Sequence, residues 1–167
     1  MVDFGVINLT LIISILVVFL VLLTIYLGIK IVPQSKVFVI ERFGRYSRTL
    51  NAGLSIIIPY LDSVAHRVDI LERQLTSQKI SVITKDNVEV ELETSVFYRV
   101  LDAAKSVYRI SNIDQALTTE TAAVVRSAAG KLELDELQSS RDKMNAEIAN
   151  TLSPSANEWG IEITRTS

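Results

Sequence analysis

No residue between positions 4 and 29 carries a formal charge, and residues 11–23 are almost unbroken aliphatic. About 20 apolar residues are needed to cross roughly 30 Å of hydrocarbon as a helix, so this run predicts a transmembrane span over residues 6–29. The neutral polar side chains within it, Asn8, Thr10, Ser14 and Thr24, can bond back to helix carbonyls, and Tyr26 falls near the end, where aromatic rings favour the interface. A cleaved signal peptide fits poorly. Asp3 precedes the run with no Lys or Arg, the run is too long, and no small-residue cleavage site follows. The expected layout is an uncleaved anchor over residues 1–31 and one domain over residues 32–167.

Beyond the anchor the pattern changes. Pro33 is expected to end the helix, since it removes a donor and clashes with the preceding turn. Residues 36–42 read as a strand apolar on both faces (Val37, Phe38, Val39, Ile40), broken by Gly44. Residues 54–61 form a second apolar stretch without alternation, interrupted by Pro59. Two readings stay open for it: a buried strand, or a patch lying against the bilayer that holds the domain down. Residues 64–75 read as one strand with Arg67, Asp69 and Arg73 on one face, and residues 80–83 as a short one. Lys85, Asp86 and Asn87 supply turn chemistry. Residues 88–100 alternate most cleanly. Val88, Val90, Leu92, Val96, Tyr98 and Val100 occupy one face, and Glu89, Glu91, Glu93, Ser95, Phe97 and Arg99 the other, which predicts a strand with one wet side.

The period then becomes helical. A short helix is expected over residues 103–108. A longer one, capped by Ser111 or Asn112, carries Ile113, Leu117, Val124 and Ala128 on one face and stops at Gly130. Ser139 or Ser140 opens a last helix with a Met144, Ile148 and Leu152 stripe. Residues 160–166 alternate again as a strand. Strands first, helices next and a closing strand predict an α+β fold with a mostly antiparallel sheet.

Charge narrows the function classes. The 17 basic and 19 acidic residues give a net charge of −2 without a basic face, so nucleic acid is excluded as a partner. Cysteine is absent and His66 is the single histidine, which removes thiolate metal sites and leaves no His-based triad. There is no G-x-S-x-G, phosphate-cradling glycine loop or H-E-x-x-H. Glu89, Glu91 and Glu93 sit about 6.5 Å apart along a flat strand, which suits a solvated face paired with Arg67 or Arg73 better than an ion. Glu133, Asp135 and Glu136 read as a solvated turn, His66 as a half-buried histidine and Arg126 as a surface arginine. No catalytic, cofactor-binding or metal-binding residue is assigned, and no small-molecule substrate is expected. Lys30, Lys36, Arg42, Arg45 and Arg48 follow the span and no basic side chain precedes it, which places the N-terminus outside and the domain in the cytoplasm.

The order of motifs then points to a family. Lys30 to Gln34 (KIVPQ), Glu41 to Tyr46 (ERFGRY), Gly53 to Asp62 (GLSIIIPYLD), Thr84 to Leu92 (TKDNVEVEL), Gly130 to Leu137 (GKLELDEL), Ser140 to Asp142 (SRD) and Trp159 to Arg165 (WGIEITR) stand in register. Together they resemble the stomatin-like branch of the stomatin/prohibitin/flotillin (SPFH, or band-seven) family, over about residues 30–166. Bacterial inner-membrane stomatin-like or paraslipin-type proteins are the nearest in pattern. The resemblance implies a non-catalytic scaffold on the lipid bilayer that forms homo-oligomers when full length and organises membrane microdomains. The alternative it implies is a regulatory subunit of a membrane AAA protease or of a channel in membrane protein quality control. Relatives run on from WGIEITR into a coiled coil, so the domain is expected to be C-terminally truncated. Ser153-Pro154-Ser155 is expected to kink or stop the last helix near Leu152.

Overall fold

The computed structural model describes Phe4–Ser167 and divides into two compact units, residues 1–67 and 68–167. The first opens with α1 (Phe4–Gly28), in which the side chains from Leu9 to Leu27 are almost all exposed. The hydroxyls of Ser14 and Thr24 donate to the carbonyls of Thr10 and Leu20 one turn back, at 2.9 and 2.8 Å, so neither leaves an unmet polar group on the helix surface. The apolar part, Asn8–Gly28, has 21 residues and a mean hydropathy of 2.9. At 1.5 Å per residue it reaches about 31 Å, long and apolar enough to cross a bilayer.

The helix ends earlier than Pro33. It stops at Gly28, and β1 (Ile29–Val32) follows at once. The residues after Gly28 include β-branched Ile29, Ile31 and Val32, and they find an antiparallel partner in β4 (Gly53–Ile56). Strand pairing ends the helix, and Pro33 instead accepts the Lys36 N–H at 3.1 Å in the turn that follows. A three-stranded sheet completes the unit: β2 (Lys36–Arg42) lies between β3 (Arg45–Leu50) and β5 (Asp62–Asp69), whose last two residues open the second unit. Val32, Phe38, Ile40, Leu50 and Ile57 form the core, with Val64 against it. The Arg67 guanidinium lies over the Phe38 ring, 5.4 Å from its centroid.

In the second unit the strand expected over residues 64–75 is broken at residues 70–72, leaving the two-residue β6 (Arg73–Gln74). The long alternating strand is broken too. β8 (Glu89–Thr94) pairs with β7 (Gln78–Ile83), whereas β9 (Val96–Val100) lies between β10 (Ile161–Thr166) and β6. Alternation carries through the break at Ser95, which is why the pattern reads as one element: Thr94, Val96, Tyr98 and Val100 are all buried. The described residues thus form two three-stranded and two two-stranded sheets, and β1–β4, β2–β3, β6–β9, β9–β10 and β7–β8 pair antiparallel.

The helices follow their periodicity closely. α2 (Ala103–Tyr108) is capped by Asp102, and α3 (Ile113–Ala129) by the Asn112 side chain, which accepts from the Gln115 N–H at 3.1 Å. α4 (Leu134–Ser139) replaces the expected solvated turn. Glu133 and Glu136 form its capping box and Leu137 is buried, so the acidic cluster is a helix start. α5 (Arg141–Glu158) continues past Pro154, so the stop expected near Leu152 does not occur. The proline deprives only the Asn150 carbonyl of its helical partner, and Asn150 and Pro154 both lie on the exposed face, where water can take over that bond. Met144, Ile148, Leu152 and Ala156 meanwhile keep the buried stripe in phase.

Candidate membrane-contacting surface

The β1–β4 ribbon sorts its side chains by face. Opposed residues of an antiparallel pair share a face, and the register sets Ile29 against Ile56 and Ile31 against Leu54. These four form one aliphatic face, and it is open: Ile31, Leu54 and Ile56 are 75%, 71% and 68% exposed. On the other face Val32 is buried in the core, with Lys30 opposite Ser55. The stretch at residues 54–61 is therefore divided between the core and an open face. Ile57 is 4% exposed and belongs to the core, while Leu54, Ile56, Ile58, Tyr60 and Leu61 are exposed.

The ribbon is fastened to the end of α1. The Ile57 N–H donates to the Gly28 carbonyl at 2.8 Å. A Cβ on Gly28 would stand 2.7 Å from the Ile57 carbonyl oxygen, so only glycine permits the approach. Exposed aliphatic side chains are thus carried by α1, by the ribbon fastened to its end and by the loop after it. Such a surface beside a bilayer-length helix can rest among lipid headgroups.

A buried ion pair sets the shape of that loop. Asp62, whose carboxylate has no solvent exposure, accepts from the Arg42 Nε at 2.7 Å and Nη2 at 3.2 Å. It also accepts from the Ile58 backbone N–H at 3.2 Å. The Arg42 hydrogen bond holds the Asp62 carboxyl below the usual carboxylate range, against the opposing effect of burial, with the Ile58 N–H assisting. The same bond raises the Arg42 guanidinium above its ordinary value. Arg48 donates from Nη2 to the Ile56 carbonyl at 2.5 Å, tying β3 to the ribbon. Asp62 closes the GLSIIIPYLD motif, but the motif gives no sign that its carboxylate is buried against Arg42.

The residues weighed for other chemistry are scattered. Glu89, Glu91 and Glu93 face outward opposite Ile83, Ser81 and Lys79, since β7 and not Arg67 or Arg73 is their neighbour. Glu93 accepts from the Ser77 hydroxyl at 2.6 Å. His66 is exposed, where a half-buried position was expected. Arg126 is exposed in the last turn of α3, where a cation complements the helix dipole. Among the described residues no three His, Asp or Glu side chains are grouped to hold a metal. In the second unit a hollow of about 420 Å³ lies beside β8, lined by Leu92, Leu134, Leu137 and Met144, with Glu91, Glu93 and Arg141 also on its wall. Tyr98 donates to Asp114, and burial, with that bond assisting, pushes its phenol up to about 12. The pair joins β9 to the start of α3.

Comparison with known proteins completes the description. Residues 30–167 match the SPFH domain / Band 7 family. The chain is 34% identical over 138 residues to an uncharacterized protein of Mycobacterium tuberculosis, covering 83% of this chain and 36% of the relative. It is 32% identical over 154 residues to an uncharacterized protein of Methanothermobacter thermautotrophicus, covering 92% and 48%. To the mitochondrial stomatin-like protein 2 of Rattus norvegicus it is 33% identical over 137 residues, covering 82% and 39%. The chain spans less than half the length of each of these relatives.

Proposed function

The chain belongs to the SPFH domain / Band 7 family, and on that premise we propose that it is a membrane-anchored scaffold that acts by assembly and by contact with lipid and performs no catalysis. α1 crosses the bilayer of a bacterial inner membrane with its N-terminus outside, and the domain lies on the cytoplasmic leaflet. The observation that carries this reading is the aliphatic face of Ile29, Ile31, Leu54 and Ile56, held beside the end of α1 by the Gly28–Ile57 hydrogen bond. A protein meant to stand clear of the membrane would gain nothing from four open aliphatic side chains at that position. Copies of the chain then gather around shared lipid and form a microdomain.

Two measurements test the reading. A nitroxide on an Ile56→Cys variant of the full chain in lipid nanodiscs should report lipid depth; exposure to water would refute the contact. Purification in mild detergent followed by native electrophoresis should give a homo-oligomer. A stoichiometric membrane protease in that band would favour a regulatory subunit instead. Orientation is checked separately by a reporter fused after Ser167: activity of a cytoplasmic reporter is expected, and periplasmic phosphatase activity would reverse the topology.

A further inference from the structure

The hairpin between β2 and β3 turns in two residues, Phe43 and Gly44, since Arg42 and Arg45 are paired across it. Both central residues are left-handed, with φ of +51° at Phe43 and +74° at Gly44. That is the pattern of a type I′ turn, in which the first position favours Asn, Asp or Gly. Phenylalanine there is strained, and its ring is 79% exposed, so nothing within this unit compensates the strain. A second local cost sits at the same tip. Arg42 and Arg45 are like charges directly opposed across the ladder. Asp62 neutralises Arg42, while Arg45 is exposed and forms no ion pair among the described residues. An aromatic ring and an open guanidinium are thus presented together, beside the Tyr46 and Ser47 side chains that complete a shallow hollow.

A path of hydrogen bonds joins the tip to the end of α1. Gly28 at the end of α1 holds Ile57, the Ile58 N–H bonds to Asp62, and Asp62 holds Arg42, the residue before Phe43. This short chain of bonds ties the residue before the tip to the end of α1. A ring there meets the bilayer interface, where aromatic side chains are favoured, and the arginine meets the phosphate layer. We infer that the Phe43–Gly44 tip is an anionic phospholipid site: Phe43 seats between headgroups and Arg45 binds the phosphate. The inference rests on the reading of α1 as a bilayer span.

The chain contains no cysteine, so a single Phe43→Cys substitution in the full chain can carry a nitroxide. It is compared with Ile56→Cys and with Thr10→Cys inside the span, in nanodiscs of phosphatidylcholine with or without phosphatidylglycerol. Power saturation with oxygen and with a water-soluble nickel chelate reads the depth. The label at position 43 should lie at headgroup depth with phosphatidylglycerol present. Its lipid-contacting population should fall about fivefold when phosphatidylglycerol is omitted or when Arg45→Ser is added. Phe43→Asn, which suits the turn, should melt no lower than the parent, separating lipid contact from folding. A label at position 43 in water while that at position 56 is in lipid overturns the inference and leaves the membrane-contact reading standing. Both labels in water overturn both. A label shielded from oxygen and chelate alike means that protein covers the tip, and an unchanged depth without phosphatidylglycerol or Arg45 removes the anionic ligand; either result overturns the inference.

Discussion

The backbone N–H of Ile57 and the carbonyl of Gly28 are joined across 2.8 Å, although one follows β4 and the other ends α1. The bond fixes where the span ends and the domain begins.

Gly28→Ala should therefore cost more than its helix propensity suggests, since alanine is the better helix former. The added Cβ would meet the Ile57 carbonyl at 2.7 Å, and backbone must move to admit it. A loss of about 1–3 kcal/mol is expected, checked by denaturant titration of the full chain in mild detergent. The Ile57 amide should exchange with solvent faster in the variant; unchanged exchange and stability would show that the contact is slack.

Adjacent isoleucines should behave oppositely. Ile57→Ala empties a core position and should destabilise by about 2–4 kcal/mol. Ile56→Ala removes an exposed side chain and should stay within about 0.5 kcal/mol in the same detergent assay. Equal losses at both would mean that the ribbon's aliphatic face is packed after all.

Asp62 gives the first unit an acid limit. Its folded carboxyl titrates below the ordinary value of 3.8, so its contribution to stability is present above that value and is lost as pH falls through the folded value. Asp86, held low by the Thr84 hydroxyl, acts in the same direction in the second unit. Asp62→Asn should accordingly melt lower than the parent at pH 7, and the gap should narrow as pH falls below about 4. Melting curves from pH 7 to pH 3 check this, and a constant gap would discount the ion pair.

Thr121 is buried in α3, and its hydroxyl has no hydrogen-bond partner among the described residues. Thr121→Val keeps the shape and removes the unmet group. A gain of about 1 kcal/mol is expected in denaturant titration; a loss would reveal a partner for the hydroxyl.

Much of the fold is legible locally. The bounds of β2, α2 and α3, the Asn112 cap and the buried stripe of α5 follow from spacing alone, because each is set by neighbours within a few residues. The failures share a cause. The early end of α1 depends on a partner strand more than twenty residues away. The break at Ser95 depends on which strands flank each half, and periodicity is blind to partners. Pro154 passes because its orphaned carbonyl faces water, a matter of helix phase against the rest of the unit. The apolar stretch at residues 54–61 was visible as a candidate, but its division into one core residue and an open face required Ile29 and Ile31 opposite it.

The junction between α1 and β1 contains no spare residue: Gly28 is the last of the helix and Ile29 the first of the strand. With the Ile57 bond beside it, the junction lacks the slack that a hinge would need. A bilayer thinner or thicker than the helix changes the helix's tilt. With α1 as the span we propose, that tilt would become a rotation of the ribbon and of the exposed aliphatic side chains it carries, so the anchor would work as the handle of a lever.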